Sequence, residues 1–354
     1  MILIDGVIVK TILHDLDDWW ENFNNIQFDI TSHCNARCAF CCRQKEGTTQ
    51  TKAELELHHF DLDTWKRIAS EDTRGVWIRE ITLNGNWGDP MMHPNLVEML
   101  DIWSNHHPET NLMLHTNGSM RSTQFWKDMG KICRKFTNHV VVFAVDGMKD
   151  THSIYRVRTN FDKICENISA FVSTTGRARI CMTAFKHNVH QVKEVEDLAE
   201  RLGCIEFEIR PSHGSHTVQD GVTIEEGDTK FYQKTFENIY IEMSDLRDFD
   251  YYNVVSENYL PENNTKCPWF NDRNIQIDPW GRVWPCCHVS EYGKNNNFKH
   301  VDESFTSARD TNSLTNYSLR QILQNDWYSK HLYSVVKNAK WNACRETCGV
   351  CKDG

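Results

Sequence analysis

Long apolar runs are missing from this 354-residue chain. The longest unbroken one, Val140–Val145, falls far short of the roughly 20 residues that a membrane-spanning helix needs. Mean hydropathy is -0.59. A basic leader is missing too. Met1–Lys10 has no basic start and carries Asp5, so it does not read as a signal peptide. Basic charge is outweighed, with 39 Lys and Arg against 49 Asp and Glu and a net charge of -10. General binding to nucleic-acid backbones takes clustered cations, and this balance argues against it. No internal repeat or low-complexity tract is seen. The expected setting is the cytoplasm, with no membrane partner.

What is present is a folding composition, 40% hydrophobic and 25% charged, which disfavours disorder. The 14 cysteines are many. In a secreted chain an even count suggests disulfides. Bunched at short spacings and without a signal sequence, they read better as metal or cluster ligands in a reducing compartment.

From about residue 26 to 210, strand-like and helix-like segments alternate. The strands are expected at Ile26–Thr31, Ile78–Leu83, Asn111–His115, Val140–Val145, Arg179–Ala184 and Ile205–Ile209. The helices are expected at Asp61–Ser70, Asn95–Ser104, Thr123–Cys133, Phe161–Ser173 and Gln191–Leu202. This is an α/β pattern implying a parallel sheet with right-handed crossovers, an open sheet or a partial barrel, with ligands at the carboxyl ends of the strands. A polar stretch, Pro211–Asp228, follows. Apolar spacing then predicts a helix over Thr229–Asp245, Asn258–Lys266 reads as a boundary, and Asn274–Trp284 reads as a hairpin turning at Asp278–Gly281. A loop rich in Asn, Lys and Ser and a helix around Leu319–Lys337 complete the chain.

Directly after the first strand comes C-x3-C-x2-C: Cys34, Cys38 and Cys41. From spacing alone this is a zinc knuckle, part of a disulfide set, or an iron–sulfur site. A structural zinc wants four ligands. A cube held by three thiolates keeps one iron without a protein ligand. Asn84–Pro90 follows the second strand, with Gly88 and Asp89. His115-Thr116-Asn117-Gly118 ends the third, and Ala144-Val145-Asp146-Gly147 the fourth, with His152, Tyr155 and Arg156 beyond. Each alone reads as a turn or a surface residue. Late in the chain, Cys267, Gly281 and Cys286 form C-x13-G-x4-C, and Cys344-x3-Cys348-x2-Cys351 closes it. Four thiolates from a hairpin and a distant C-x2-C suit zinc as well as iron.

Taken together, with Phe40 just before the third cysteine, these motifs closely resemble the radical S-adenosylmethionine enzymes, in the SPASM/twitch subgroup. The resemblance implies a partial (β/α)6 barrel followed by a small α+β twitch extension with a β-hairpin and a C-terminal helix. The implied divisions are an N-terminal segment 1–25, the barrel 26–225, a helix and linker 226–260, and an auxiliary-cluster subdomain 261–354. It also implies a [4Fe-4S] cluster on Cys34, Cys38 and Cys41. The free iron would chelate S-adenosylmethionine, whose reductive cleavage gives a 5′-deoxyadenosyl radical that abstracts a substrate hydrogen. A second, auxiliary [4Fe-4S] cluster would sit on Cys267, Cys286, Cys348 and Cys351, with Cys344 and Cys287 as spares. The implied cofactor contacts are Phe40, Gly88, Asp89, Asn117, Asp146, Arg156 and Asn188. Asp89 stands where the family has Glu, and Ala144 where it often has Ser.

Arg210, His213 and His216 follow the sixth strand and are the candidate catalytic residues, with Asp150 and Lys186 as further candidates for substrate contact. Cys133, Cys165, Cys181 and Cys204 read as small core residues. A reducing partner such as a flavodoxin or ferredoxin follows from the family. The favoured reaction is an oxidoreductase one, dehydrogenation or epimerisation of a small hydroxylated, sugar- or cyclitol-like substrate. Cys287 replaces the Asp of sulfatase maturases, and only about 25 residues precede the first strand, few for a peptide-binding winged helix. The alternatives are a peptide-modifying maturase and a non-catalytic zinc scaffold.

Overall fold

The computed structural model describes residues 2–4, 7–9, 23–38, 41–45, 48–71, 78–211, 217–219, 222–224, 232–235, 274–287, 289–290 and 304–332. Thirteen strands and eight α-helices fall among them. The short β1 (Ile2–Ile4) and β2 (Val7–Val9) pair with each other. The frame is the run β3 (Asn25–Phe28), α1 (Leu62–Ala69), β4 (Glu80–Leu83), α2 (Leu96–His106), β5 (Asn111–Thr116), α3 (Thr123–Cys133), β6 (Asn138–Ala144), α4 (His152–Tyr155), α5 (Phe161–Val172), β7 (Ala178–Ala184), α6 (Val192–Arg201) and β8 (Glu206–Pro211). Strands β3 to β8 lie side by side in chain order, all parallel, so each helix crosses over to the next strand. The expected six strands and five helices are all present, within three residues at each end.

Local chemistry starts these helices. The Asp61 carboxylate accepts the Thr64 N–H at 2.7 Å ahead of α1, Ser122 Oγ accepts that of Phe125 ahead of α3, and Asn160 Oδ1 that of Lys163 ahead of α5. The strands alternate. On β7, Ile180 and Met182 are fully buried beneath the helices, while Arg179, Cys181 and Thr183 face the other way. The helix-facing core is aromatic: Phe28, Trp65 and Trp103 pack with ring centroids 4.7 to 5.6 Å apart, and Trp126 lies 5.0 Å from Phe143. Full burial of such side chains stabilises by about 1.5–3 kcal/mol each.

Two segments after β8 depart from the sequence reading. The predicted helix over Thr229–Asp245 is overturned at β11 (Tyr232–Thr235), a strand antiparallel to β8. The open edge of β8 offers unpaired backbone groups, and Tyr-Gln-Lys-Thr suits a strand there. Between them, β9 (Thr217–Gln219) and β10 (Val222–Ile224) form a small antiparallel pair in the polar stretch, where no strand was expected. The expected hairpin exists as β12 (Asn274–Ile277) and β13 (Val283–Trp284), and it extends the main sheet: β12 pairs parallel with β3, Gln276 beside Gln27.

Near the C-terminus, α7 (Ser304–Thr311) occupies the expected loop, and the helix predicted around 319–337 is broken. It runs as α8 (Leu319–Leu323), then a π-helix over Trp327–Leu332. Asn325 divides them, its amide donating to Asn312 Oδ1 at 2.9 Å and accepting the Tyr328 N–H at 3.0 Å. No helix among the described residues is long and apolar enough to cross a membrane.

Candidate functional site

At the carboxyl ends of the parallel strands lies a cavity of about 330 Å³. Its first wall is the loop after β3, which brings in the thiols of Cys34, Cys38 and Cys41. Backbone bonds shape this loop: Cys41 N–H donates to Cys38 O at 3.1 Å and Gln44 N–H to Cys41 O at 2.9 Å. The buried Arg43 guanidinium donates to Ser32 O at 2.8 Å, and Ser32 Oγ accepts the His58 N–H at 2.6 Å, clasping the loop from behind.

The second wall is the loop after β4. Gly85 has φ +74°, the left-handed region that glycine tolerates. Gly88 is there for space: a Cβ would stand 2.5 Å from the carbonyl oxygens of Thr31 and His33. Asp89 closes this loop, 5% exposed. Its carboxylate accepts the Met91 N–H at 2.9 Å, the Asn117 N–H at 2.8 Å, the Thr116 hydroxyl at 3.0 Å and the Asn117 side-chain amide. Burial raises the Asp89 carboxyl above its ordinary range, and these donors only partly oppose it. Asn117 also donates to Asn35 Oδ1 at 2.9 Å and lies 3.9 Å from Cys34 Sγ.

The third wall is cationic. Arg156 Nε donates to the fully buried Asp146 carboxylate, and its Nη1 lies 3.8 Å from Cys38 Sγ. Its guanidinium covers the Tyr155 ring at 5.2 Å. Asp146 also accepts the Thr183 N–H at 2.6 Å, and its own N–H donates to His152 Nδ1 at 3.1 Å. Burial pushes His152 down to about 4, so it is neutral near pH 7.

Burial pushes Cys34 up to about 12 and Cys38 up to about 11. Cys41 is brought down to about 6, first by a hydrogen bond with Cys42. Three cysteine thiols on one cavity wall are donors of the kind that hold an iron–sulfur cluster as thiolates. No three Cys, His, Asp or Glu side chains among the described residues converge on a single-ion site, and the cavity is far larger than one cation. Three thiols beside a cavity of this size leave room for a cluster and a bound ligand. Around it, the Gly88 backbone and the Arg156 guanidinium line the cavity, and the guanidinium suits a ligand that carries a carboxylate.

Of the residues singled out in the sequence, Cys34, Cys38, Cys41, Gly88, Asp89, Asn117, Arg156 and Arg210 line this one cavity. Asp146 stands behind it, gripping Arg156. Asn188 does not line it. Its buried amide donates to Asp146 O at 3.1 Å and Thr183 O at 3.0 Å and accepts the Phe185 N–H, holding the turn after β7. Phe40, His213, His216, Cys267, Cys344, Cys348 and Cys351 lie outside the described residues. Cys286 and Cys287 are half-buried just beyond β13.

Cys181 was expected in the core and instead faces the cavity. Its strand carries the signal: between buried Ile180 and Met182 it must point to the opposite face. His115 lines the cavity by the same alternation on β5. Burial pushes its imidazole down to about 3, with Arg210 and Arg179 adding to the effect. Both arginines are joined to Glu208, which is 2% exposed: Arg179 Nη1 at 3.1 Å, and Arg210 through Nε. Arg179 also pairs with Glu206, so two arginines here meet two carboxylates.

A family model described as "Radical SAM superfamily" matches residues 28–202. A GTP 3′,8-cyclase of Desulforamulus reducens is 26% identical over 133 residues, 38% of this chain and 37% of that protein. The antilisterial bacteriocin subtilosin biosynthesis protein AlbA of Bacillus subtilis is 22% identical over 292 residues, 79% of this chain and 59% of that protein. The chain thus spans less than two thirds of either relative. Among solved structures, Streptococcus suis SuiB bound to S-adenosylmethionine superposes with a TM-score of 0.57 at 15% identity, covering 94% of this chain and 73% of that one. SuiB has also been solved bound to its precursor peptide SuiA. The protein anSMEcpe with bound AdoMet gives 0.53 at 13% identity, covering 92% and 88%. These two share the fold. The matched segment runs from the end of β3 through α6 and holds the three-cysteine cavity wall, so residues 28–202 form a radical SAM superfamily domain.

Proposed function

We propose that this protein binds a [4Fe-4S] cluster through Cys34, Cys38 and Cys41, binds S-adenosylmethionine in the cavity beside it, and abstracts a hydrogen atom from a peptide substrate. The observation that carries the reading is the convergence of the three thiols with Gly88, Asp89, Asn117 and Arg156 on one cavity. When bound, the cluster and S-adenosylmethionine supply reductive sulfonium cleavage and a carbon-centred radical.

The chain's own residues position and shield. Gly88 lets backbone approach the cofactor's amino acid end. Asp89 fixes Asn117 and the turn at Met91, so the second and third walls hold one geometry. Arg156, anchored by Asp146, offers a fork for a carboxylate beside Cys38. His115, Cys181 and Arg210 form the wall left for substrate. Arg210 contacts the substrate in this reading, and His213 and His216 follow it in the chain. Cys286, with Cys267, Cys348 and Cys351, holds the second cluster, and a flavodoxin- or ferredoxin-like protein delivers electrons.

The peptide class is supported by AlbA, the relative aligned over most of this chain, whose name places it in bacteriocin biosynthesis. A second reading, oxidation of a small hydroxylated compound, is favoured by the polar wall of Asn84, His115, Thr183 and Arg210. The test is anaerobic reconstitution with iron and sulfide, then S-adenosylmethionine and dithionite. The wild type should release 5′-deoxyadenosine, and the Cys34→Ala, Cys38→Ala, Cys41→Ala triple variant none. Release stimulated by a host-cell extract should disappear when that extract is first protease-treated. Stimulation that survives protease favours the small-molecule reading.

A further inference from the structure

We propose that Asp29 is a positioning residue that locks the C-terminal hairpin onto the loop lining the cofactor cavity, so that the barrel's cysteine site and the segment carrying Cys286 are built as one unit. The proposal rests on the reading of that cavity as the S-adenosylmethionine site.

Asp29 is the residue after β3, five positions before Cys34, and is 1% exposed. Its carboxylate ties two loops at once. Oδ1 accepts the Asn86 N–H at 2.7 Å, and Oδ2 accepts the Asn86 side-chain amide at 3.3 Å. Oδ2 also accepts Nε2 of Gln276, on β12, 247 residues away in sequence. The Asp29 N–H donates to Ile277 O at 2.8 Å, which continues the pairing of β3 with β12.

Each tied partner leads to a cysteine. Asn86 lies between Gly85 and Gly88, both in the cavity wall. Its carbonyl accepts the Cys42 thiol at 3.2 Å, and its Oδ1 accepts the Asn84 amide at 3.0 Å. Gly88 leaves no room for a Cβ against Thr31 and His33, and the next N–H, that of Asp89, donates to His33 O at 2.9 Å, so this loop is tied to the cysteine loop. On the other side, Gln276 pairs with Trp284 of β13, which ends two residues before Cys286. A second strut runs parallel: Trp87, 2% exposed, meets Trp280 of the hairpin turn edge-to-face at 5.6 Å.

A buried carboxylate is a costly tie where apolar packing could serve, and the best attested return is a fixed register between elements. Here the fixed elements are the hairpin and the cofactor loop. The Gln276 Oε1 atom is buried without a partner, so this amide is oriented by Asp29 rather than by a network of its own.

The test uses hydrogen–deuterium exchange on the full chain before cluster loading, and kinetics after it. Asp29→Asn sets an amide NH2 against the donors of Gln276 and Asn86. Gln276→Leu cuts only the hairpin arm and keeps the volume. Both variants should speed exchange in residues 84–88 and in 276–287 by about tenfold, as the loss of one buried tie predicts. Trp280→Phe should do the same more weakly. In the loaded enzyme, Asp29→Asn should raise the KM for S-adenosylmethionine by about tenfold, more than it lowers kcat. If Gln276→Leu alters exchange in the hairpin and leaves 84–88 untouched, the coupling is refuted. A wild type that releases no 5′-deoxyadenosine overturns the cofactor reading instead, and leaves the exchange result standing by itself.

Discussion

The Asn117 backbone N–H donates to Asp89 Oδ2 at 2.8 Å, joining the ends of β4 and β5 across 28 residues of chain. One buried carboxylate thereby sets the positions of two cavity walls. Asp89→Ala removes the acceptor for the Met91 N–H, the Asn117 N–H and the Thr116 hydroxyl together. Each buried donor left unpaired costs about 1–3 kcal/mol. The variant should lose at least about 2 kcal/mol in urea unfolding, and the S-adenosylmethionine affinity of the reconstituted enzyme should fall with it.

Gly88→Ala tests the close approach. Its methyl group meets two backbone carbonyl oxygens at 2.5 Å, and neither can rotate away. The loop must move, at a cost of about 1–3 kcal/mol. The expected signature is a raised KM for S-adenosylmethionine with iron content near wild type.

Arg156 has two jobs that substitutions can separate. Arg156→Ala leaves the Asp146 carboxylate buried and still accepting the Thr183 N–H. Breaking a buried pair by removing one partner costs about 3–5 kcal/mol. Arg156→Lys keeps the charge and removes the fork. Urea unfolding should therefore rank the wild type above Lys and Lys above Ala, while S-adenosylmethionine binding should be weakened by both.

Asp29 also sets a pH dependence. Burial, with the charge of Asp278 adding to it, raises its carboxyl from 3.8 to about 7. The unfolded chain releases this proton near 3.8 and the folded protein only near 7. Folding therefore binds a proton in that window. The advantage of the neutral form is full below the lower value and is lost as pH climbs to the upper one. Between about pH 5 and pH 8 this should lower wild-type stability by up to about 3 kcal/mol relative to Asp29→Asn. Urea titrations of both proteins at the two pH values check it, and parallel slopes contradict it.

Much of this was legible in the chain. Period-2 and period-3.6 apolar patterns located β3 to β8 and five helices, because each strand and helix buries one face against its sequence neighbours. The three cysteines were expected at the strand ends, and the structure places them in the cavity wall there, because a parallel sheet presents its strand ends on one side. What escaped was non-local. The hairpin pattern at 274–284 is local, but its pairing with β3 joins residues about 250 apart, and nothing in Asn274–Ile277 names its neighbour. Tyr232–Thr235 fits a helical stripe and is a strand because β8 offers it an open edge. Cys181 was misread through its residue type, although the alternation around it pointed to the cavity. Asn188 was matched by position, but its amide is committed to backbone groups.

The most direct measurement is 5′-deoxyadenosine release by anaerobically reconstituted wild type and by the Cys34→Ala, Cys38→Ala, Cys41→Ala variant, each supplied with S-adenosylmethionine and dithionite. Release by the wild type and none by the variant, with about four irons lost per chain, is the expected result. A variant that keeps its iron and still releases 5′-deoxyadenosine contradicts the account.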